Sequence, residues 1–152
     1  MIKAEDLRIG DLVKVGCNSM FPEGTICVVT EIDSETASRD QKGFVSLNFP
    51  DDNDDGPCGV WCCNIEGIRL TPEILEKNGF EVKRIGECYA KTIGPQKKYI
   101  SRYISIERMH TEWKIFIKYT SLIDHGLLRS VNYVHELQHI LWALGEDANI
   151  KI

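Results

Sequence analysis

The first seventy residues contain no run with a helical period, and no other feature constrains the fold of this chain as much. They hold instead short apolar runs rich in β-branched residues: "RIGDLVKV" (8–15), "TICVVTEI" (25–32), "KGFVSLNF" (42–49) and "GVWCCNIEGIRL" (59–70). Gly10, Gly16, Gly24, Gly43, Gly56 and Gly59 punctuate these runs at turn-like spacing. In the first run Val13 and Val15 share one face and Leu12 and Lys14 the other, as strand alternation requires. Several short strands at this spacing predict a small barrel.

Helical signals begin at residue 71. In "LTPEILEKNGF" (70–80) Thr71 can cap, Pro72 suits the first helical position, and Glu73 sits at the positive end of the helix dipole. Asn78-Gly79 supplies a left-handed stop. The spacing predicts a linking helix over 72–78. "KYISRYISI" (98–106) and "EWKIFIKY" (112–119) alternate, with polar "ERMHTE" between them, which predicts a hairpin. "DHGLLRSV" (124–131) adds a third strand. Beyond it, Val134, Leu137, Leu141 and Leu144 recur at three- and four-residue steps with Ile140 beside them. Asn132 can cap this run and Gly145 can end it, which predicts a C-terminal helix over 132–144. The expected fold is therefore α+β. Residues 1–70 form a small barrel, and residues 71–152 a linking helix, a small antiparallel sheet and a packed C-terminal helix.

Two resemblances bear on this. "RIGDLVKV…GTICVVTEI" resembles the opening of SH3-like barrels, where a Gly-Asp turn leads into the first strand. Over a longer span, "LRIGDLV", "LTPEIL" with the following "GF", and the Val-His-x-Leu-Gln helix resemble a group of uncharacterised small proteins of gut Bacteroidetes genomes and their phages. That resemblance implies a phage or mobile-element origin and no assigned activity. Its pattern matches Val134, His135, Leu137 and Gln138, and typically has neither Glu136 nor His139.

Those two extra residues complete His135-Glu136-Leu137-Gln138-His139, an H-E-x-x-H string. In a zinc hydrolase two imidazoles one turn apart hold the metal, and the glutamate is general base on the metal-bound water. At ~100° per residue His135 and His139 share a face opposite the apolar stripe, so the helical part of the motif holds. The third ligand is missing. In the extended motif Trp142 stands where a glycine belongs and Gly145 where a histidine belongs, and only Glu146 and Asp147 offer carboxylates downstream. His110, Asp124 or His125 would have to serve from upstream. The expectation is that His135 and His139 are polar residues on a solvated helix face, with no metal and no cofactor. The alternative is a zinc-dependent hydrolase with His135 and His139 as ligands and Glu136 as base.

Other constellations are weaker. Asp51, Asn53, Asp55 and Gly56 begin like a calcium loop, but Cys62 occupies the position of the bidentate glutamate. Cys62 and Cys63 would point to opposite faces of a strand, and Cys17, Cys27 and Cys88 are scattered, so the six cysteines read as reduced, mostly buried thiols. The most basic stretch, "GPQKKYISRYISIER" (94–108), sets Lys97, Lys98 and Arg102 among Tyr99 and Tyr103, as a nucleic-acid surface would. The net charge of −5 argues against such binding as a bulk property. No apolar run approaches the ~20 residues of a membrane span. The opening "MIKAEDLRIGDL" is charged from its third residue, which reads as no export signal and a cytoplasmic location. The expected function is a non-enzymatic binding protein with a protein partner, the zinc hydrolase and a nucleic-acid-binding protein being the alternatives.

Overall fold

The computed structural model describes residues 2–16, 21–38, 41–49, 57–97, 100–120 and 126–152. The chain divides into two compact units, Met1–Ile68 and Arg69–Ile152, each built on its own five-stranded antiparallel sheet. About half of the residues lie in strands, and only two α-helices are present among those described. The α+β expectation is corrected to a predominantly β protein.

In the first unit β1 (Leu12–Val15), β2 (Ile26–Ser38), β3 (Gln41–Asn48), β4 (Cys58–Trp61) and β5 (Ile65–Gly67) form a sheet ordered β4-β3-β2-β1-β5. The expected SH3-like barrel is not there. β4 pairs only with β3 and β5 only with β1, so the sheet keeps two edges and does not close. Closure needs a continuous hydrogen-bonded register around the ring. These two edge strands have four and three residues and are joined by a tight 3-10 turn at Cys62–Asn64. The N-terminal segment does the sealing that a closed barrel would do with strands. Ile2, Ala4 and Leu7, around a 3-10 turn at Ala4–Asp6, pack on Val13, Val15, Cys27, Val29, Val45, Leu47, Val60 and Ile65. The Gly-Asp turn before β1 is real: Gly10 has φ +94°, and the buried Asp11 carboxylate accepts the Arg8 N–H at 2.8 Å.

β2 is not a regular strand. Its register with β3 runs Val29↔Leu47 and then Glu31↔Ser46, so Thr30 is an extra residue in a bulge. Alternation places Cys27 and Val29 in the core, and without the bulge Glu31 would follow them inward. The slip turns Ile32 toward the core instead, opposite buried Val45, and sends Glu31 and Asp33 to the other face with Ser46 and Phe44.

In the second unit β6 (Glu81–Arg84), β7 (Cys88–Lys97), β8 (Ile100–Met109), β9 (Glu112–Tyr119) and β10 (Gly126–Val131) form a meander ordered β10-β9-β8-β7-β6. Arg69 and Leu70 belong to it. Leu70 N–H donates to Asn132 O at 2.9 Å, and Trp113 Nε1 donates to Leu70 O at 3.1 Å. The β8–β9 hairpin has the expected strands, with Ile104, Ile106 and Ile115 fully buried. β6 and β7 were not expected. In β7 the buried Tyr89 and Ile93 alternate with Thr92 and Ala90, but Lys91 interrupts the apolar face. Its Nζ donates to Asn78 O at 3.0 Å and lies over the Phe80 ring, a charged end on a buried stem.

Helices α1 (Pro72–Lys77) and α2 (Val134–Ala143) complete this unit. Thr71 Oγ1 accepts the Ile74 N–H, and Pro72 starts α1. Both helices end the same way. Gly79 (φ +77°) and Gly145 (φ +73°) let Phe80 N–H and Glu146 N–H reach back to Leu75 O and Leu141 O, the Schellman arrangement. The tail after α2 returns to α1, where Asn78 Oδ1 accepts the Lys151 N–H and Asn78 Nδ2 donates to Lys151 O. Ile150 is buried on the way. No helix among the described residues is long and apolar enough to cross a membrane.

Candidate functional site

The H-E-x-x-H residues lie in the first turns of α2, and their local duties differ from those of a zinc site. Tyr133 is the N-cap, not Asn132. The Glu136 carboxylate turns back on the helix start and accepts the Asn132 N–H at 2.6 Å and the Tyr133 N–H at 3.0 Å through Oε2. Arg129 Nη2 stands 3.6 Å from Oε1. This is the glutamate half of a capping box at the third helical position, where it satisfies amides that the helix leaves unbonded. A carboxylate so engaged does not face a metal-bound water.

His135 corrects the expectation of a solvated face. It is 4% exposed and stacked on the Tyr133 ring at 5.7 Å between centroids. Gln138 is also buried, and its Nε2 donates to Ala148 O at 3.2 Å. The returning tail covers a flank that helical periodicity alone assigns to water. His139 is half-buried, its ring edge-on to His135 at 6.0 Å. His110 is exposed in the β8–β9 turn, while Asp124 and His125 lie outside the described residues. Among the described residues no three His, Cys, Asp or Glu side chains gather as a metal site would need.

The basic stretch is divided. Lys98 and Tyr99 lie outside the described residues, and Lys97 ends β7. Arg102 shares a face of β8 with buried Ile104 and Ile106, whereas Tyr103 alternates to the opposite face, across from Lys118 on β9. On that face Ser105 Oγ donates to Glu107 Oε1 at 2.9 Å, and Lys118 is ion-paired to Glu107. The acidic loop 51–56 and Cys17 are outside the described residues. Cys27, Cys62, Cys63 and Cys88 are thiols outside any disulfide. Burial, with the Cys58 thiol adding a smaller push, raises Cys27 to about 11, and burial also raises Cys62.

A concave site of the first unit is one that periodicity did not reveal. Glu31, Ile32, Asp33, Phe44 and Ser46 line a cleft of about 320 Å³ on β2 and β3. It is open to one side and sits at the small end of ligand pockets. Two cross-strand rows build it: Asp33, Phe44 and Trp61 are directly opposite one another on β2, β3 and β4, and Glu31, Ser46 and Gly59 form the next row. The Phe44 ring points its outer edge at Gly59, where an added Cβ would come within 2.2 Å of Cζ. Trp61 meets Phe44 edge to face at 5.2 Å. Ser46 Oγ donates to Glu31 Oε2 at 2.8 Å, and the Glu35 N–H donates to Asp33 Oδ1 at 3.0 Å, so both carboxylates are oriented by local bonds. The one trace of this site in the sequence is a break in alternation, where the inward positions step from Val29 to Ile32. Compared with protein-family models, curated proteins and solved structures, the chain matches none.

Proposed function

We propose that this chain is a non-enzymatic binding protein of the cytoplasm that recognises a protein partner through the cleft on β2 and β3. The observation that carries this reading is the seating of Phe44. Its ring edge fills the space above Gly59, is braced by Trp61, and lines a cleft together with two oriented carboxylates. Rigid aromatic surface beside fixed polar groups on strands is what a recognition site requires. The placement of Glu136 supports the same reading from the other unit, since its carboxylate holds the start of α2.

The test is a peptide-display selection against the full chain, repeated with Phe44→Ala and Gly59→Ala proteins whose amide spectra confirm the fold. Peptides enriched on the parent protein are expected to bind each variant at least ~10-fold more weakly, the range of a central anchor residue. Peptides that bind parent and variants alike, or no enrichment at all, would remove the cleft as the recognition site.

A further inference from the structure

The charge of this molecule is unevenly distributed. Up to Ile68 there are 5 Lys and Arg against 13 Asp and Glu, a net −8, while from Arg69 onward there are 13 against 10, a net +3. The cleft lies in the acidic unit, and its lining includes the carboxylates of Glu31 and Asp33. We infer that the cleft takes one arginine side chain from a basic peptide segment, its guanidinium plane against Phe44 and its N–H groups on Glu31 and Asp33. This rests on the binding reading above and deepens it.

Three physical features select that occupant. A guanidinium is planar and weakly hydrated, so it stacks on an aromatic face at small desolvation cost, and its fork of donors matches a carboxylate. An ammonium has neither property. Second, Ser46 occupies one position on the Glu31 carboxylate, which has roughly four acceptor sites, so Glu31 keeps acceptor capacity while held in place, and the Glu35 amide helps to orient Asp33. Third, at about 320 Å³ the cleft is sized for a single long side chain and not for a folded surface. The surplus of carboxylates in this unit adds long-range attraction for a basic segment, which salt screens.

The experiment uses the isotope-labelled full chain titrated with the blocked peptide Gly-Ser-Arg-Ser-Gly and with versions carrying lysine or citrulline in place of arginine. The arginine peptide is expected to shift amide signals of 31–33 and 44–46. The lysine version binds several-fold more weakly and the citrulline version at least ~10-fold more weakly. Folded Glu31→Gln/Asp33→Asn protein loses at least ~10-fold in affinity for the arginine peptide, and raising salt from 20 to 300 mM weakens binding to the parent protein. Equal binding of the citrulline peptide, an unchanged affinity in the double variant, or shifts confined to other residues would overturn the assignment. The peptide-display selection separates the two levels. Phe44-dependent binders that lack arginine leave the binding reading standing and refute this one; an absence of any Phe44-dependent binder refutes both.

Discussion

Glu136 shows how the same residue serves two chemistries according to where its carboxylate turns. Its two backbone hydrogen bonds predict that Glu136→Ala costs about 1–2 kcal/mol of stability, because amides at the start of α2 lose their acceptor. Glu136→Gln keeps a carbonyl oxygen in the same place and is expected to unfold at nearly the parent urea midpoint. A glutamate whose role was proton abstraction would give the reverse pattern, a stable but inactive Gln variant. Equal destabilisation by both substitutions would contradict the capping role. The buried thiols make a second residue-level prediction. Cys27 ionises near 11 in the fold and near 9 in the unfolded chain, so its folded pKa is raised. Its contribution is complete below about pH 9 and is lost as pH rises toward 11, on the order of 3 kcal/mol over that window. Urea midpoints measured from pH 8 to 11 should fall through that window and flatten in a Cys27→Val protein. Alkylation at pH 7.5 should label the partly exposed Cys58, Cys63 and Cys88 well before Cys27 and Cys62.

The elements differ in how far their ends are set locally. Thr71, Pro72, Asn78 and Gly79 specify α1 within eight residues, and the structure uses each as its chemistry suggests. Gly145 ends α2 in the left-handed region with no heavy atom within 4 Å of an added Cβ. Gly145→Ala should therefore cost only the backbone strain, about 1 kcal/mol, read from thermal or urea unfolding. Asn78 has a second duty that no local pattern announces. It exchanges two hydrogen bonds with Lys151, and Lys77 Nζ donates to Ile152 O at 2.9 Å. Asn78→Ala should release the tail, so that the Lys151 amide exchanges with solvent far faster while the β8–β9 amides keep their protection. Unchanged protection at Lys151 would show that burial of Ile150 holds the tail without those bonds. Strand β7 escaped sequence reasoning because Lys91 sits on its inner face and Gly94-Pro95 reads as a turn. β2 was legible as a strand, but its bulge was not, since one extra residue is defined only against the partner strand.

For the molecule as a whole, the charge imbalance matters to stability as well as to binding. Thirteen carboxylates against five cations in Met1–Ile68 repel one another at low ionic strength. Raising salt from 10 to 300 mM should move the unfolding of that unit, reported by β4 amides, to higher urea, by screening this repulsion. No shift, or a downward one, would mean that favourable ion pairs such as Lys14–Glu66 outweigh it. Taken alone, the amino-acid sequence determined the strand-rich first half, the β8–β9 hairpin, the cap of α1, the glycine stops of both helices and the apolar stripe of α2. These depend on propensity, alternation and hydrogen bonds among residues a few positions apart. Only the tertiary structure decided that the first sheet stays open, that His135 and Gln138 are buried, that Glu136 turns to the helix start, and that Glu31 and Asp33 share a sheet face with Phe44. Each of those outcomes depends on which distant segment supplies the neighbouring surface or the pairing partner, and a register slip of one residue reverses the side of a sheet on which a side chain lies.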